Sequence, residues 1–286
     1  MQSIRTDLAM EAHELSKKED KQKIDGVEVI SENIGGLNVT RVSIFNENGA
    51  KVLKKAQGRY VTIEAPQIRY SVEEYQKAVE VIAKELSHMA DITEDKLTLV
   101  AGLGNREITP DALGCEVVSG LFVTHHMKQQ MDEIFKKPLS GVCAIAPGVL
   151  GTTGIETVEI IKGITETIKP DLVIAVDALA AADIRRVCTT IQIADTGIQP
   201  GAGVGNNRKG LNKETLGVKV IAVGVPTVID AASISNAQIP KELSPLMVTT
   251  KDIDLVIEKM AKAVANGINK ALQPNLSLKE IECYVG

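Results

Sequence analysis

Two continuous apolar runs, each closing on small residues and then an aspartate, constrain the fold more than any other feature of the chain. The first is LVAGLGNREITPDALG over residues 99–114, the second DLVIAVDALAA over 171–181. Runs of this length, bounded by Gly or Pro and followed by helical periodicity, read as strands buried on both faces of a parallel sheet. Ligands of such sheets bind outside the carboxyl ends of the strands. Asp111 and Asp177 stand where the backbone leaves the two runs, so both are placed at that edge.

The rest of the chain alternates. Residues 1–25 are polar and charged, with a helical tendency around 8–18. Over 27–66 the pattern is short and β-like: LNVTRVSIF and RYVTIEA are β-branched or alternating, and Gly35-Gly36 and Asn48-Gly49 mark turns. Ser71 with Glu74 three residues on predicts a capping box opening a helix. Beyond Asp91, strands are predicted at LTLVAGLG, VCAIAPGV, DLVIAVDAL, TTIQIADT and VKVIAVGVP. Helices are predicted from Thr109-Pro110 to about His126, over 153–169, briefly over 182–187, and over 253–272. This order implies an α/β fold: a three-layer α/β/α sandwich with a central, mostly parallel sheet of the phosphorylase/hydrolase-like kind, plus a smaller amino-terminal β region. No repeat or linker divides the 286 residues, so 1–286 reads as a single domain.

Composition narrows the function. The 44% hydrophobic share is almost wholly Val, Ile, Leu and Ala, with no Trp, 4 Tyr and 3 Phe. A base-stacking platform needs exposed rings, and phosphate binding leaves a basic footprint. With a net charge of −5, direct nucleic-acid binding is not expected. No apolar stretch reaches the length of a membrane span, and no secretory h-region opens the chain, so a cytoplasmic protein is expected. Cys115, Cys143, Cys188 and Cys283 are scattered without metal or redox spacing.

Asp111 falls in the first turn of its predicted helix, where a carboxylate also simply complements the helix dipole. That position favours the ionised form and suits a base that activates water. Asp177, expected to end an apolar strand, is the more desolvated of the two, which suits an acid. Asp195 begins a DTG tripeptide, the signature of pepsin-like proteases. Those are all-β and supply two such loops, so Asp195 is a second-rank candidate near the site. The glycine-rich PGAGVGNNRKG that follows does not open a helix as a dinucleotide fingerprint would, and reads as a substrate-facing loop. No GxSxG and no HExxH occurs, and His125-His126 is placed late in a helix. No cofactor and no metal ligand set is predicted.

GLGNREITPDALG, VDALAAADIRRV, TTIQIADTGIQPGAGVGNNRKGLN and the amino-terminal IRTDLAMEA resemble the germination protease of spore-forming bacteria, over nearly the whole chain. The resemblance implies an atypical aspartic endopeptidase that degrades small acid-soluble spore proteins in the spore core during germination. It carries the catalytic role onto Asp111 and Asp177. It also implies a homo-oligomer, a tetramer. The family cuts after glutamate, so a cation should meet that side chain, and Arg106 and Arg208 are the candidates by position. Family members are made as zymogens. Here only four residues precede RTDLA, so a chain competent without processing is expected. Two other readings stay open at this point: a non-catalytic nucleotide- or metabolite-binding module, and a metal-dependent endopeptidase like those that mature hydrogenases.

Overall fold

The computed structural model describes residues 6–19, 23–93, 95–128, 133, 138–201, 209–234 and 246–285. Among the described residues nine strands share one sheet: β1 (Val27–Ile34), β2 (Leu37–Ile44), β3 (Gly58–Glu64), β4 (Leu97–Gly102), β5 (Gly141–Ile145), β6 (Leu172–Ala181), β7 (Thr190–Ala194), β8 (Lys219–Asp230) and β9 (Met247–Val248). Their order is β1-β2-β3-β7-β8-β6-β4-β5, with β9 added to β8.

The α/β class is as expected, and the sheet is mixed. β5, β4, β6 and β8 run parallel. From β8 through β7, β3 and β2 to β1 every pair is antiparallel. The amino-terminal β region is therefore a wing of the central sheet rather than a separate unit. It is joined by the pairing of Tyr60–Glu64 with Ala194–Thr190. A pairing between residues 130 positions apart leaves no local signature, whereas hairpin turns do.

Alternation along the strands sorts their side chains into two faces. Val100, Ile174, Val176, Ile221 and Val223 pack on one face with helices α3 (Val72–Ala90), α4 (Leu113–Ser119) and α6 (Ile253–Leu272). Leu99, Ala101, Val173, Ala175 and Val220 face the other way, toward α5 (Thr157–Ile168). On that same face Val42, Ile44, Ala194 and Ala222 meet α1 (Ala9–Glu19) and the end of α2 (Glu47–Leu53). The layers are thus helix, sheet, helix.

Two local expectations are corrected. Ser71 does cap α3, its Oγ accepting from the Glu74 N–H at 3.1 Å. The Glu74 carboxylate, however, turns to the Gln67 N–H instead of completing a box. The helix expected from Thr109 to His126 is broken. A 3₁₀ turn, Thr109–Asp111, precedes α4, which stops at Gly120, and His125–Met127 is a separate 3₁₀ turn. Buried Asn269 ends α4: its Nδ2 donates to the Gly120 carbonyl and its Oδ1 accepts from Phe122 N–H. Among the described residues no helix is long and apolar enough to cross a membrane.

Candidate active site

The site forms where β4 parts from β6. Gly102 and Val176 are the last paired residues of β4 and β6, and the Leu103 N–H donates to the Val176 carbonyl at 2.7 Å. Asp177 is the next residue. It does not end its strand, as the sequence suggested, because β6 runs on to Ala181 against β8 alone. The residue is 5% exposed, and its Oδ1 accepts from the Ala178 N–H at 2.9 Å.

Asp111 is brought over this strand end by a close approach that only glycine permits. A methyl group on Gly114 would lie 2.4 Å from the Leu103 nitrogen and 2.5 Å from the Val176 carbonyl oxygen. The start of α4 therefore rests directly on the backbone where β4 and β6 part, and the turn bearing Asp111 hangs over the edge. The Asp111 Oδ2 accepts from the Asn105 N–H at 2.8 Å.

Asp111 and Asp177 both line one cavity of about 750 Å³, a size that suits a bound ligand. Asp7, Lys55, Tyr60 and Thr227 are further walls. Burial pushes the Asp7 carboxyl up, with the Lys55 charge pulling the other way. Burial pushes the Lys55 ammonium down, and Asp7 and Glu11 oppose that. Burial also raises the Tyr60 hydroxyl to about 12, and that hydroxyl donates to the Ala56 carbonyl at 2.8 Å. Thr227 is the extra residue of a bulge in β8, where the pairing to β6 jumps from Leu179↔Pro226 to Ala180↔Val228. Bulges beside sites re-aim side chains, and this one sends the Thr227 hydroxyl to the Pro110 carbonyl at 2.7 Å.

Of the other expected site residues, Asp195 and Arg106 are each held by partners outside the Asp111–Asp177 wall. The Asp195 carboxylate accepts from the N–H and the Nε of Arg59, each at 2.7 Å, while Thr196 and Gly197 beside it line the cavity. Arg106 is drawn along α4, donating to the Cys115 carbonyl at 3.2 Å and the Ser119 Oγ at 3.1 Å, with Glu116 at 3.5 Å. Arg208 and most of the glycine-rich loop lie outside the described residues. Sequence reasoning did not single out Asp7, Lys55 or Thr227. For Asp7 the one signal was its place in the amino-terminal block. Among the described residues no group of three or more His, Cys, Asp or Glu is arranged to hold a metal ion.

Comparison with known proteins defines the class: the chain is a peptidase. The family profile described as germination protease matches residues 5–243. The germination protease of Clostridium perfringens (strain 13 / Type A) is 45% identical, with 100% of each chain covered. That of Clostridium tetani (strain Massachusetts / E88) is 41% identical over 99% of each. Among solved structures, a nickel–iron hydrogenase maturation protease from Thermococcus kodakarensis KOD1 is 21% identical over 67% of this chain and 98% of its own, with a TM-score of 0.36. The chain belongs to the germination protease family.

Proposed function

We propose that the protein is an aspartate-dependent endopeptidase that degrades small acid-soluble spore proteins in the spore core during germination. The observation that carries this reading is the convergence of Asp111 and Asp177, from two separate apolar runs, on one cavity. Asp111, exposed enough to meet solvent and already accepting an N–H, acts as base. It takes a proton from water as the water oxygen attacks the scissile carbonyl carbon. Asp177, nearly closed to solvent, gives a proton to the departing amide nitrogen as the C–N bond breaks. The cycle resets when the proton taken up at Asp111 is returned to Asp177 by exchange with solvent.

Incubation with a purified small acid-soluble spore protein tests the reading. Defined fragments are expected from the parent protein and none from Asp111→Asn or Asp177→Asn. Loss of cleavage with a chelator would replace the aspartate mechanism by a metal-dependent one. Nucleotide-dependent thermal stabilisation without cleavage would make the chain a binding module.

A further inference from the structure

Beyond Val176, β6 has lost β4 as a neighbour, yet its backbone groups still need partners. The amino-terminal segment supplies them. The Asp7 N–H donates to the Ala180 carbonyl at 3.0 Å, and the Asp7 Oδ2 accepts from the Ala180 N–H at 2.8 Å. Four residues later the Glu11 carboxylate accepts from Ala182 N–H at 2.7 Å and Asp183 N–H at 3.0 Å. Asp7 is itself held from other elements. Its carbonyl accepts from Gln192 Nε2 at 3.0 Å and from Lys55 Nζ at 2.9 Å, and Lys55 reaches the Thr6 carbonyl as well at 3.0 Å. Gln192 Oε1 accepts from the Ala9 N–H at 2.8 Å, and Leu8 and Ala9 are fully buried.

Asp7 grips Ala180, three residues beyond Asp177, and stands on the wall of the same cavity. We infer that Asp7 is a positioning residue for Asp177, with Glu11 as its second point of hold: together they replace β4 and fix the strand segment that follows the carboxylate. This rests on the aspartate-dependent reading for its effect on catalysis, though not for its effect on the strand. The catalytic pair then depends on three pieces of chain, the third being residues 6–11. Displacing a reacting group by about 1 Å costs up to about a hundredfold in rate, so an unclamped strand lowers turnover without removing any group that touches substrate.

The test compares Asp7→Ala, Asp7→Asn and, as control, Glu14→Gln, which loosens the contact of the same helix with Arg186 without touching β6. Asp7→Ala is expected to lower kcat about tenfold or more with KM little changed. Asp7→Asn keeps an oxygen for the Ala180 N–H and should restore most of kcat, and Glu14→Gln should leave it unchanged. Amide exchange over residues 178–183 should accelerate in Asp7→Ala, and over 182–183 in Glu11→Gln, which keeps only one of its two acceptors. Unchanged exchange at 178–183 overturns the clamp, whether or not the parent protein cleaves the spore protein. A normal kcat in Asp7→Ala, or an Asp7→Asn protein as slow as Asp7→Ala, overturns the positioning role. If Asp7→Ala does not fold, Glu11→Gln decides by the same exchange measurement.

Discussion

Thr227 Oγ1 donates to the Pro110 carbonyl at 2.7 Å, across 117 positions of sequence. The bond ties the turn that carries Asp111 to the bulge of the strand paired with Asp177's own. Thr227 is 1% exposed, and its own carbonyl accepts from Thr249 Oγ1 at 2.7 Å, so the hydroxyl has little freedom to turn away. Thr227→Val is expected to lower turnover about tenfold and stability by about 1 kcal/mol. Thr227→Ser should recover both. Urea unfolding and steady-state kinetics check this, and a Val variant with parental kcat would show that the Asp111 turn needs no such anchor.

Asp111→Asn and Asp177→Asn should each remove proteolysis by a factor of about 10²–10⁴ while circular dichroism shows the fold retained. Asparagine keeps the size of the side chain but neither ionises nor shares a proton. Asp195→Asn is expected to be milder, because its amide oxygen still accepts from the Arg59 backbone. Near-normal turnover in a folded Asp177→Asn protein would take that residue out of the mechanism.

Gly114→Ala tests the close approach that seats α4. Its methyl group would meet backbone atoms at 2.4–2.5 Å, on Leu103 just past β4 and on Val176 of β6, and backbone hydrogen-bonded at a sheet edge yields poorly. A loss of about 3 kcal/mol is expected, at the upper end for overpacking. An alanine variant of parental stability and activity would show that the helix can lift without disturbing Asp111.

The Tyr60 hydroxyl, raised by burial to about 12 from 10.0, predicts an alkaline effect. A folded-state value above the unfolded one means that the protonated form is favoured in the fold. Its contribution is fully present below about pH 10 and is lost as pH rises toward about 12. Tyrosinate absorbance should show this group titrating above ordinary tyrosines, and Tyr60→Phe should flatten the fall in stability between those values. An equal fall in the Phe variant would assign it to other groups.

The elements most legible in the sequence were those set by local pattern. The apolar runs at 99–102 and 172–176 are strands because both faces are covered, and the 3.6-residue period over 253–272 is the long helix α6. Patterns of two and 3.6 residues are written along the chain itself. The helix after Thr109 was overrun although Gly120 stands at its end, because Asn269, which holds that end, lies on another helix.

The sequence by itself determined the α/β class, the two buried apolar runs that lead to Asp111 and Asp177, and the family to which the chain belongs. The tertiary structure alone decided that β1–β3 extend the central sheet, that Arg106 is drawn along α4 while Asp195 pairs with Arg59, and that Asp7 and Thr227 stand in the wall of the cavity. Local pattern reports which face of a strand or helix is buried. Which distant segments meet depends on pairing register, close approach at glycines and the satisfaction of buried backbone groups, and these are settled only when the chain has closed on itself.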